Sequence, residues 1–141
     1  MVYCDFSNSL YKYLDIYHNG LKKLANKEMQ AIVGHLREMS DENQDEILTQ
    51  FLSDYCDSDV WDTLKDRGNA DIPYELKEYI LMWITPRCEE KKMPECRWYY
   101  ELFRNHKQGY QAAVKYLEIA YSSMKCDQKQ LICCLIHTWI F

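Results

Sequence analysis

Tyr110-Gln111-Ala112-Ala113-Val114-Lys115-Tyr116-Leu117-Glu118-Ile119-Ala120-Tyr121-Ser122-Ser123-Met124 is the stretch that decides the fold. Tyr110, Ala113, Val114, Leu117, Ala120, Tyr121 and Met124 recur in steps of three and four. That spacing gathers them on one helical face and would scatter them over both faces of a strand. Just upstream, His106-Lys107-Gln108-Gly109 is a break. Before it Pro94 suits a helix start, followed by Trp98, Tyr99, Leu102 and Phe103. Just downstream, Asp127 with Gln130 forms a capping box opening a final apolar helix, Leu131 to Phe141.

The same spacing runs through the rest of the chain. Phe6, Leu10, Tyr13, Leu14, Tyr17, Leu21 and Leu24 form a first stripe, with Asp5 or Ser7 as cap. It continues past Asn19-Gly20, which predicts one long helix through that point instead of a left-handed cap there. Met29, Ile32, Val33, Leu36 and Met39 form a second stripe. Asp41 with Gln44 reads as a capping box before a third: Ile47, Leu48, Phe51, Leu52 and Tyr55. Ser58 caps a short turn through Trp61 and Leu64. Lys65 to Asp71 is the best loop. Pro73 opens a helix that buries Leu76, Tyr79, Ile80, Trp83 and Ile84, and Pro86 is expected to end or kink it. Arg87 to Met93 reads either as more helix or as loop.

Composition agrees. Gly (4) and Pro (3) are too few for the turns an all-β chain of 141 residues requires. The expected fold is a single all-α domain over residues 1–141, a bundle or irregular array of six to seven helices. The most apolar run, Leu131 to Phe141, has 11 residues where about 20 are needed to span a bilayer, so it reads as a buried helix, not an anchor, and no membrane partner is expected. That helix should be buried, either within the core or against a second copy of the chain, which makes a homodimer through it a candidate assembly. Seven cysteines, an odd number, and an N-terminus without a basic and apolar leader suggest reduced thiols in the cytoplasm.

Trp98, Lys107-Gln108-Gly109 and Tyr110-x-x-Ala113-Val114-x-Tyr116-Leu117-x-x-Ala120 together resemble one tetratricopeptide repeat. In that family small Ala residues let two helices pack closely, and stacked pairs bind peptides in a concave groove. The resemblance implies an adaptor function. It covers 24 of the 141 residues, places Glu101-Leu102 where Leu-Gly is usual, lacks one residue after Gly109, and has no 34-residue echo elsewhere.

Motifs for chemistry are missing. There is no GxSxG, GxGxxG or HExxH, and few glycines with which to cradle a phosphate. Cys133 and His137 stand four apart, Cys126 seven before Cys133, and Cys88 and Cys96 lie nearer the middle of the chain. Without a paired ligand spacing these read as core residues, not as a zinc site. No catalytic residue, cofactor or metal is expected; a Cys/His metal protein or enzyme is the remaining alternative.

Charge supplies the sharper expectation. Residues 1–70 hold 7 basic and 13 acidic residues; residues 71–141 hold 10 and 9. Between Glu38 and Asp66 stand ten carboxylates and one cation, Lys65. That sign disfavours direct nucleic-acid binding. It suits a basic protein partner, as an acidic inhibitor or immunity-type protein would need. The expected contact residues are Asp54, Asp57, Asp59 and Asp62, with Tyr55 and Trp61 as aromatic anchors. The bland reading is a solvated face that keeps the protein soluble.

Overall fold

A computed structural model describes residues 2–61 and 72–123. Six helices make up the described residues, with no strand among them: α1 (Val2–His18), α2 (Lys22–Glu38), α3 (Asp41–Asp57), α4 (Tyr74–Glu89), α5 (Glu95–Phe103) and α6 (Tyr110–Ser122). The all-α expectation is met. Leu64, the loop from Lys65, the capping box at Asp127 and the helix expected over 131–141 lie outside the described residues. Packing groups the chain into two compact units, Met1–Ile80 and Leu81–Phe141, and the division falls within α4.

In the first unit the apolar stripes become the core. Phe6, Leu10 and Leu14 of α1, Met29, Ile32 and Leu36 of α2, and Ile47, Leu48, Phe51 and Leu52 of α3 are all buried. One expectation fails at the first turn. α1 ends at His18, and Gly20 takes φ +80, the left-handed conformation glycine adopts without penalty. The Gly20 N–H donates to the Tyr17 carbonyl (3.1 Å) and the Leu21 N–H to the Ile16 carbonyl (3.3 Å), the two bonds of a Schellman stop. The chain reverses there, so Tyr17, Leu21 and Leu24, the tail of the first stripe, stand exposed. Periodicity alone missed the reversal because the residues beyond it happen to keep the spacing.

The start of α3 is also shifted, by one residue. Ser40 is the N-cap: its backbone is extended and its Oγ accepts from the Asn43 N–H at 3.3 Å. Asp41 and Glu42 fall in the first turn, where carboxylates favour the positive end of the helix dipole. Gln44 does not close a capping box. Its amide donates to the Met39 carbonyl (3.0 Å), and its Oε1 accepts from the Tyr79 hydroxyl.

Pro86 neither ends nor breaks α4, which runs on to Glu89. A proline removes the bond to the carbonyl four residues back, here that of Met82, and crowds that carbonyl, yet the turns on either side remain helical. One residue earlier the Thr85 hydroxyl donates to the Leu81 carbonyl at 2.6 Å. The helix stops instead at Lys91, which takes φ +60, with the Lys91 N–H on the Cys88 carbonyl and the Lys92 N–H on that of Arg87.

In the second unit α5 packs against α6. The face α6 buries is Ala113, Tyr116 and Ala120; Tyr110 and Val114 are exposed. The expected stripe is therefore rotated toward Tyr116. Its ring meets Tyr99 edge-on, centroids 4.7 Å apart, and a tyrosine offers far more surface to bury than a valine. Gly109 sits at the closest approach. A Cβ there would lie 2.8 Å from the Cβ of Phe103, and the Gly109 carbonyl accepts from the Tyr99 hydroxyl at 3.0 Å.

Candidate functional site

α3 carries six carboxylates, Asp41, Glu42, Asp45, Glu46, Asp54 and Asp57, and no basic residue in its 17 positions. Its apolar residues Ile47, Leu48, Phe51, Leu52 and Tyr55 are buried. Asp41, Glu42, Glu46 and Asp57 stand exposed, and Asp59 continues the charge beyond the helix end. Burial of one face thus forces the acids outward. Exposed charges of this kind act over about a Debye length, roughly 8–10 Å at physiological salt.

The expected contact residues separate into two groups. Asp57 and Asp59 are on the surface; Asp62 lies outside the described residues. Tyr55 and Trp61 are buried, Trp61 completely, and a side chain without a free face cannot anchor a partner. Trp61 instead stacks on Tyr11 (centroids 4.7 Å) and meets Phe51 edge-on (5.7 Å). An indole following three acids reads as a surface anchor in sequence; it is buried because the chain folds back over α1 and α3.

Asp54 belongs to the fold as much as to the surface. Its Oδ2 accepts from the Tyr3 hydroxyl at 2.7 Å, and its Oδ1 from the Gln50 amide at 3.0 Å. The Tyr3 oxygen in turn accepts from the Trp61 indole N–H at 3.3 Å. A chain of donors thus joins the start of α1, the end of α3 and the turn beyond it. Burial, followed by the bond to Asp54, raises the Tyr3 hydroxyl well above the ordinary phenol range. Sequence reading missed Tyr3. Its place three before Phe6 and seven before Leu10 was the available signal, since it puts a polar-tipped ring at the end of the first stripe.

Three cations of the second unit are paired within it. Arg87 pairs with buried Glu95 at 3.8 Å while lying over the Trp83 ring at 4.4 Å. Lys92 meets Glu90 at 3.3 Å and Arg97 meets Glu101 at 3.4 Å.

Cys88 and Cys96 are buried side by side, and the Cys96 thiol donates to the Cys88 carbonyl at 3.7 Å. Burial raises both thiols above their usual range; at Cys88 the neighbouring Cys96 adds to it. They are protonated at neutral pH and poor nucleophiles. Among the described residues no group of three or more His, Cys, Asp or Glu is arranged to hold a metal ion. Cys126, Cys133, Cys134 and His137 lie outside them. No helix among the described residues is long and apolar enough to cross a membrane.

No family model, curated protein or solved structure matches this chain.

Proposed function

We propose that this protein is a non-enzymatic protein-binding module whose acidic surface, the outer face of α3 continued by Asp59, docks on a basic partner protein. The manner is that of an inhibitor or immunity protein occupying a cationic groove. One observation carries the reading: α3 turns its apolar side chains inward and holds six carboxylates with no cation among them. Like charges gathered on one face raise its local potential, which speeds the encounter with an oppositely charged surface and rejects like-charged ones. The contact residues are Asp41, Glu42, Glu46, Asp57 and Asp59; Tyr55 and Trp61 support the face from beneath.

The test is kinetic. A partner captured at low salt is measured against wild type and a variant carrying Asp41→Asn, Glu46→Gln, Asp57→Asn and Asp59→Asn. The association rate should fall severalfold, with the difference shrinking as salt is raised. Equal rates at low salt overturn the proposal. Binding that resists salt and maps to Trp98–Tyr121 supports the peptide-binding adaptor implied by the tetratricopeptide resemblance.

A further inference from the structure

Leu21 is 53% exposed, Leu24 49% and Tyr17 41%, and they flank the reversal at Gly20. Every residue from Tyr17 through Leu24 is exposed. The turn projects into solvent and carries three large apolar side chains there, a cluster that calls for a partner where a single exposed leucine would not.

The same turn is basic. Lys22 and Lys23 open α2, and Lys27 stands one helical turn beyond Leu24. The acids nearest in sequence are Asp15 and Glu28, and Glu28 is met by Lys12 at 3.6 Å. The first turn of α2 contains no acid. Its two lysines therefore add to the positive end of the helix dipole, where carboxylates ordinarily offset it.

We propose that this turn docks on the surface of an anionic lipid bilayer. Tyr17, Leu21 and Leu24 enter the boundary between headgroups and acyl chains, and Lys22, Lys23 and Lys27 meet the headgroup anions, their long stems letting the charge stay at the surface. A protein partner would need a concave apolar pocket shaped to a projecting tip. A bilayer deforms around such a tip and offers an apolar layer beneath a layer of negative charge. Attachment of this kind is peripheral and reversible. It is independent of the acidic face of α3.

Full-length protein is sedimented with phosphatidylcholine vesicles, with and without phosphatidylserine, at low and physiological salt. Binding should require phosphatidylserine and weaken with salt. Each of Lys22→Gln, Lys23→Gln and Lys27→Gln should weaken it roughly fivefold. Leu21→Ser with Leu24→Ser should weaken it roughly tenfold or more. Circular dichroism should show every variant folded, since the substituted side chains are exposed, and Asp57→Asn with Asp59→Asn should leave vesicle binding intact. Absence of binding to phosphatidylserine vesicles at low salt overturns the proposal. So does undiminished binding by the leucine variant, which would leave only diffuse charge attraction. Tighter, leucine-dependent binding to soluble poly-glutamate would assign the turn to an acidic protein and also overturn it.

Discussion

Replacing Tyr3 with Phe keeps the ring and its packing and removes one oxygen. That oxygen donates to Asp54 at 2.7 Å and accepts from the fully buried Trp61 indole at 3.3 Å. A hydrogen bond to a charged group contributes about 1.5–3 kcal/mol, and a buried donor left without its acceptor costs about 1–3 kcal/mol. Tyr3 and Asp54 are only half-buried, so water partly replaces the first bond, and the indole bond is long. Both considerations favour the lower ends, which gives a net loss of about 2–3 kcal/mol. That is a large fraction of the roughly 5–15 kcal/mol that stabilises an ordinary domain. Urea denaturation followed by circular dichroism measures it, with the Asp54→Ala and double variants completing a cycle. The two single losses should sum to more than the double, because both remove the same bond. A Tyr3→Phe loss below about 0.5 kcal/mol, or simple additivity, would show that the donor chain does not hold the end of α3 to α1.

Gly109→Ala should destabilise by about 1–3 kcal/mol, because the new methyl meets Phe103 at 2.8 Å in a packed contact. Gly34→Ala, in mid-helix with open space around it, should stabilise by roughly 0.5–1 kcal/mol, and thermal melts of the pair should move in opposite directions. Stability should also fall on the alkaline side. Burial raises the Cys88 and Cys96 thiols from 9.0 and pushes the Tyr99 hydroxyl up to about 12, so the unfolded chain loses these protons first. Their contribution is complete below about pH 9 and declines as pH rises through the folded values, and Tyr99→Phe should make the decline in melting temperature shallower.

The helices were legible because their signal is local. Ile47, Leu48, Phe51, Leu52 and Tyr55 must share a face whatever surrounds them, and all five are buried. Errors arose where two local solutions were nearly equal. Ser40 and Asp41 are adjacent cap formers, and only the geometry decides that Ser40 takes the role. Asn19-Gly20 could lie inside a helix or end one, and the Schellman bonds decide it. On α6 the expected stripe and the buried face share Ala113 and Ala120 but differ over Val114 and Tyr116. That choice depends on Tyr99, a residue of another helix.

The candidate site was legible in its charge and illegible in its anchors, for one physical reason. A carboxylate's preference for water usually fixes its side of a helix from sequence alone, and Asp57 and Asp59 stand outside, whereas Asp54 is half-buried because the Tyr3 hydroxyl and the Gln50 amide replace part of its water. An amphipathic ring has no such fixed preference, since its apolar body favours burial and its polar tip needs only one partner. Trp61 could stand at the surface or go inside, and the Tyr3 hydroxyl that satisfies its N–H lies 58 residues away. The same ambiguity worked in reverse at Tyr17, Leu21 and Leu24, which belong to a core stripe by spacing and stand exposed because a single glycine reverses the chain between them. An apolar side chain displaced from its own core by a turn keeps the transfer free energy it would have released there. On a basic turn that free energy is available to a surface that combines anions with an apolar interior, which the acidic outer face of α3 cannot recognise.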